Sequence, residues 1–349
     1  MQQIKDPKKE IVKERFSFLI EVILVFLGIV ILMLIPRYLL TLFIDKSSVF
    51  YGPLFYILRA LAIFIAIPIF LYIPNLIFEA NKKNLILEED VSPSLEHLRL
   101  YSFKKINFKE QLTMGIIILF LLFIPLDFLI YYFFPETIEY TASALLERET
   151  DTYIAKEYLI FLISVIIIQF SVAIYEESLS RGFVNMRGAS YYNKMSAVII
   201  ASFQFGLMHF AILPGFPIWL PIIWVLQAFI VGIILSIIVQ KKKVIFPVIF
   251  AHALNNIISA HTLWNYLQGN DFIIIAIYLY LPLLIISIVI LILKFSTIKT
   301  SIISGINFFK SYAENDKEIN ESKSDKYFRI FFDFLFAGLL FLVGVLFSI

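Results

Sequence analysis

Nine apolar runs dominate the chain, at about 17–36, 52–74, 112–134, 158–180, 195–213, 218–240, 244–263, 272–294 and 329–348. Each is near the ~20 residues that carry a helix across a ~30 Å hydrocarbon layer. Lipid offers no partner to an unpaired backbone amide, so such runs cross a bilayer as helices that bond internally. Composition points the same way: 60% of the 349 residues are hydrophobic and 16% charged, against roughly 45–50% apolar and 25% charged in soluble proteins. The expected fold is all-α, a polytopic transmembrane helical bundle of about eight to nine membrane helices, with the lipid bilayer as its first partner. A net charge of +2 gives no footing for nucleic acid, and the absence of cysteine excludes disulfides, thiolate metal sites and a cysteine nucleophile. The apolar stretch Phe18 to Ile35 exceeds the 7–15 residues of a secretory signal core and lacks a small-x-small cleavage site, so it reads as a retained anchor.

Loop charge predicts the orientation, since Lys and Arg gather on the cytoplasmic side. The N-terminal tail carries Lys5, Lys8, Lys9, Lys13 and Arg15, and the 79–111 connection carries Lys82, Lys83, Arg99, Lys104, Lys105 and Lys109. The 134–157 connection instead holds Glu136, Glu139, Glu147, Glu149, Asp151 and Glu157 against Arg148 and Lys156. The first two are expected inside, the third outside, with Lys241 to Lys243 and a polar loop at 295–328 inside. The stretch Tyr312 to Lys326 reads as a flexible cytoplasmic loop.

Ionisable side chains inside apolar helices cost at least ~3 kcal/mol each, so every one is a functional candidate. The fourth run ends in Glu176, Glu177 and Arg181; the fifth contains His209; the seventh contains His252 and Asn256, with His261 further on. Residues four apart share a helix face and adjacent residues diverge by ~100°. Glu177 and Arg181 are thus expected to form an ion pair, leaving Glu176 free to act as a general base. His252 and Asn256 can aim hydrogen-bond donors at one point, as an oxyanion hole requires, and His209 can share a proton with a water held by Glu176. A carboxylate, a histidine and a donor pair without a side-chain nucleophile point to water attacking an amide directly.

In their order and setting, the EExxxRG of Glu176 to Gly182, the FxxxH of Phe205 to His209 and the HAxxN of His252 to Asn256 resemble the CPBP intramembrane proteases. That family takes in the CAAX prenyl endopeptidases and the bacteriocin-processing or Abi proteins. The resemblance covers about residues 158–262. It implies a glutamate-type protease in which Glu176 and His209 activate water, His252 and Asn256 form the oxyanion site, and Glu177 with Arg181 supports them. The chain then divides into N-terminal membrane helices with their loops (1–157), a catalytic core (158–262) and C-terminal membrane helices with the 295–328 loop (263–349). The implied substrate is a membrane-associated or lipidated peptide or protein. The setting is an integral membrane protein, in a prokaryotic plasma membrane as the Ile, Phe, Lys and Asn abundance suggests, with a cytoplasmic N-terminus and an active site facing the cytoplasm.

Other readings stay open at this stage. The same fold could serve as a non-proteolytic immunity or scaffold protein. A proton-coupled transporter would call for repeat symmetry or paired broken helices, neither of which is evident. No cofactor is expected, although two Glu and two His could in principle ligate zinc in a zinc-dependent membrane protease, in spite of the missing HExxH. No GxSxG elbow accompanies Ser178 or Ser180. Glu21, Arg59, Asp127 and Asp333 lie in or beside apolar runs without an assigned partner, and His261 near Trp264 suits a structural role at the outer interface. Neither the oligomeric state nor any need for prenylation can be read from the sequence.

Overall fold

The computed structural model describes residues 6–78, 92–102, 105–210, 217–313 and 321–347. These residues fold as helices, with no strand among those described. Helix α1 (Pro7–Phe43) starts where the Asp6 side chain accepts from the Lys8 amide and Pro7 occupies the first turn, where its missing N–H leaves nothing unpaired. It packs against α2 (Tyr51–Phe78), and the short α3 (Pro93–Arg99) begins on a Ser92 cap. Helix α4 (Lys105–Ile118) runs through a π-helical turn, Leu119–Phe123, into α5 (Ile124–Phe133), and α6 (Glu136–Leu146) follows. Helix α7 (Tyr158–Glu177) continues through a π-helical stretch, Ser178–Asn185, into α8 (Met186–Tyr191), so that 158–191 is one 34-residue helix.

Helices α9 (Lys194–Phe210), α10 (Trp219–Lys242) and α11 (Phe246–Leu267) complete the region of the motifs. Lys243, in the left-handed conformation at φ 56°, ends α10 and turns the chain directly into α11. Helix α12 (Phe272–Ile275) passes through π-helical Ala276–Tyr280 into α13 (Leu281–Leu293), and α14 (Phe295–Lys310) and α15 (Lys323–Leu346) close the chain.

Among the described residues seven helices are long and apolar enough to cross a membrane, which makes this an integral membrane protein built as a polytopic helical bundle. The other two expected segments are helical as well. They are α9, with 17 residues, and α11, where His252, Asn255, Asn256 and His261 dilute the apolar residues. Both carry motif residues. One sequence expectation needs correction. The 295–328 stretch is not a loop, because Phe295–Lys310 is a helix with no buried residue that presents Ile302, Ile306 and Phe309 on its surface, and α15 already begins at Lys323. Its Ser- and Thr-rich face lowers the average hydropathy while leaving a helical apolar stripe. Residues 314–320 of the expected flexible stretch lie outside the described residues. Gly188 to Tyr191 finish the fourth membrane helix, and Tyr192 and Asn193 link it to α9.

One buried cluster joins α4–α5, α7, α10 and α11; a second joins α1, α2, the π-helical stretch after α7, α9 and α15. Small residues permit the tight approaches, as membrane helices require without a hydrophobic force between them. A Cβ on Gly28 would lie 2.2 Å from the Phe70 ring, and one on Gly232 would lie 3.0 Å from Ser202. The isolated charges find partners across helices. Arg15 pairs with Asp333 at 2.8 Å, Arg187 grips Glu21 through two 2.8 Å bonds, and the Arg59 guanidinium lies 4.0 Å over the Tyr175 ring. Asp127 accepts from Gln227 at 3.0 Å and from Ser259 at 2.7 Å, joining α5, α10 and α11. His261 sits among Tyr158, Phe161 and Trp264.

Candidate active site

The EExxxRG residues straddle the junction where α7 becomes π-helical, and every residue from Ser178 to Asn185 is buried. Hydrogen bonds of the i→i+5 kind insert an extra residue per turn and re-aim side chains, which is why such bulges gather at functional sites. Glu177, with no exposed surface, receives the Arg181 guanidinium at 3.1 Å and the His252 Nδ1 at 2.7 Å on the same oxygen. The ion pair predicted from four-residue spacing is therefore present, although the helix between the two residues is not a regular α-helix. The Arg181 guanidinium also lies 4.0 Å over the Phe205 ring, which brings α9 against the pair.

Glu176 diverges from Arg181 and faces His252 from the other side, its Oε2 3.7 Å from Nε2. His252 thus lies between two carboxylates. Because a carboxylate only accepts, Nδ1 carries a proton toward Glu177, and Nε2 alone remains for other work. Its partner fixes the ring, and Nε2 is the nitrogen available beside Asn256. His209 places Nδ1 2.9 Å from the Phe205 carbonyl. A carbonyl likewise only accepts, so Nδ1 holds the proton and Nε2 of a neutral ring keeps its lone pair.

Two cavities meet at these residues. One, of about 200 Å³, is lined by Glu177, Arg181, His252 and Asn256 and extends to Asp127 and Gln227. The other, of about 300 Å³, holds Glu176 and reaches Arg59 and Arg148. Phe205 and His209 line both and form the partition. All six residues singled out from the sequence border this pair of cavities, with Glu176 on one side and Glu177, Arg181, His252 and Asn256 on the other. Among the described residues no group of three or more His, Asp or Glu side chains is arranged to hold a metal ion.

Residues 158–258 match the family model described as type II CAAX prenyl endopeptidase Rce1-like. The matched segment belongs with these CAAX proteases. No curated protein and no solved structure matches the chain. The Rce1-like segment contains every motif residue, from α7 to the first half of α11, while the 1–157 and 259–349 stretches lie outside it. The likeness to a protease family is thus confined to that segment, within a chain built as a membrane helical bundle.

Sequence reasoning passed over three contributors. Phe205 stood in the FxxxH spacing without a role and proves to be the surface on which Arg181 and His209 meet. Asp127 was a charge without a partner and lines the first cavity. His97, the one histidine in a polar connection, is buried with Nδ1 3.2 Å from the Gly182 carbonyl. Burial pushes its imidazole down to about 4, so the ring is neutral at pH 7. No local pattern in the sequence links residue 97 to residue 182.

Gly182, the glycine of EExxxRG, is where His97 seats. A Cβ there would lie 3.0 Å from His97 Cε1 and 3.3 Å from Ile245 Cδ1. In an open helix Gly→Ala stabilises by about 1 kcal/mol. Here overpacking of about 1–3 kcal/mol opposes that gain, and Gly182→Ala is expected to lose about 1–2 kcal/mol net. Thermal unfolding in detergent tests this, and a more stable variant would mean that His97 gives way freely.

Proposed function

We propose that the chain is an intramembrane endopeptidase that hydrolyses a peptide bond of a membrane-associated peptide or protein by water activated between Glu176 and His209. The observation that carries this is the placement of both residues on one cavity, with His252 fixed by Glu177 and facing Glu176 at 3.7 Å. Glu176 takes a proton from water, and the hydroxide adds to the carbonyl carbon. The carbonyl oxygen becomes an oxyanion beside His252 Nε2 and the Asn256 amide. Nε2 can donate there when the ring is an imidazolium, and Glu177 supplies the compensating charge. Collapse of the tetrahedral intermediate breaks the C–N bond, and the leaving amine takes up the proton first removed from water, directly from Glu176 or through His209. Arg181 keeps Glu177 in place and takes no proton.

The apolar walls around these polar groups, among them Phe123, Tyr131 and Trp224, suit a peptide delivered from the bilayer. The name of the matched family suggests a prenylated substrate, and the same chemistry would serve an unmodified membrane peptide. Incubating the purified protein in liposomes with a membrane-peptide library, with and without a chelator, tests the reading. Cleavage that survives chelation and disappears in His209→Ala is the expected result. Cleavage abolished by the chelator would replace this mechanism with a zinc-dependent one, and intact cleavage by His209→Ala would remove His209 from it.

A further inference from the structure

Charge patterning and Glu176 near the end of the fourth apolar run lead to a site facing the cytoplasm, but the cavities run the other way. Helix 158–191 continues fifteen residues beyond Glu176, roughly 22 Å at 1.5 Å per residue. Glu176 is therefore deep within the bundle instead of at its inner edge. From it, the larger cavity follows α7 back toward its start, past Gln169, to Arg59 near the beginning of α2 and to Arg148 and Asp151 in the 134–157 connection. Its far end reaches solvent, since the Arg148 side chain is 37% exposed. The smaller cavity leads in the same direction, to Tyr131 near the end of α5 and to Thr141 in α6.

Among the described residues, the opposite side of the site is walled. Gly182, one residue past Arg181, is covered by His97, and the Ile245 amide donates to the Leu100 carbonyl at 3.0 Å, which binds the 92–102 segment to the start of α11. Leu100 and Ile245 are both buried. The walled side is the one on which Lys8, Lys9, Arg99 and Lys241 to Lys243 gather, and the open side carries the acidic 134–157 connection. Basic connections stay in the cytoplasm.

We infer that the site takes its substrate from the 134–157 face, away from the cytoplasm, so that the scissile bond lies in a membrane peptide or protein segment displayed on the outer side. This rests on the protease reading for the word substrate, while the direction of opening rests on geometry alone. The chain has no cysteine, so single cysteines report accessibility without background. Ser47→Cys, in the exposed connection between α1 and α2, reports the 134–157 face, and Ser102→Cys reports the opposite one. Thr141→Cys and Gln169→Cys report the two cavities. In intact cells treated with a membrane-impermeant maleimide, Ser47→Cys, Thr141→Cys and Gln169→Cys are expected to label as fully as after permeabilisation, and Ser102→Cys only after it.

Labelling of Ser47→Cys without either cavity variant would overturn the opening. Protection of Ser47→Cys in intact cells would overturn the orientation. The assay reads no catalysis, so a failure of the protease reading in liposomes leaves its outcome interpretable.

Discussion

Glu176→Gln is expected to lower the rate of peptide cleavage by about 10³-fold or more, while the protein unfolds at an unchanged temperature. The substitution keeps the shape of the side chain and removes its ability to take a proton. Glu176 accepts no ion pair from Arg181, and its nearest charged neighbour, His252 Nε2, is 3.7 Å away, too far for a hydrogen bond. Little folding energy therefore rests on its charge. A 10³-fold loss corresponds to about 4 kcal/mol of transition-state stabilisation, within the range one general base supplies. His209→Ala should produce a loss of similar size, and the double variant should be little worse than either single one, because two groups holding one water fail together. Initial rates in liposomes, paired with thermal unfolding in detergent, separate this from misfolding. Retention of cleavage within tenfold by Glu176→Gln would move the base elsewhere, with Glu177, bonded to His252 Nδ1, the next candidate.

The parts of this arrangement that could be read from the sequence are those set by short spacing. Glu177 with Arg181, Phe205 with His209, and His252 with Asn256 are each four residues apart, and four residues return a helix to the same face. That periodicity, inside apolar runs where a charge needs a reason to exist, was enough to group the residues and to separate Glu176 from Glu177. What could not be read was long-range placement. Nothing near His97 announces that it seats on Gly182, 85 residues later, and nothing near Asp127 announces Gln227 or Ser259. Depth was misjudged for a related reason. Hydropathy ends the fourth run near residue 180 because Glu176, Glu177 and Arg181 interrupt it, whereas the helix continues to Tyr191. The functional residues themselves disguised the length of their helix.

Loss of the Glu177 charge is expected to have the largest effect on stability. Glu177→Gln preserves volume and leaves Arg181, which has no exposed surface, as a buried cation without its 3.1 Å partner. Breaking one side of a buried ion pair typically costs about 3–5 kcal/mol, a large share of the 5–15 kcal/mol by which proteins are usually stable. The double variant Glu177→Gln with Arg181→Met removes both charges and keeps an aliphatic side chain against Phe205. It should be more stable than Glu177→Gln alone, since no uncompensated charge remains, and with Arg181→Met alone it completes the cycle that measures the coupling. Unfolding of the single variant within about 1 kcal/mol of the parent would show that water reaches Arg181 and that the pair is not buried in solution. Catalysis should not return with stability in the double variant. The 2.7 Å bond from His252 Nδ1 ends on Glu177, so its ring loses the carboxylate that orients it and balances an imidazolium in both variants. A folded but inactive double variant would thus separate the two tasks of one carboxylate: neutralising Arg181, which keeps the helix in the membrane, and orienting His252, which the chemistry requires.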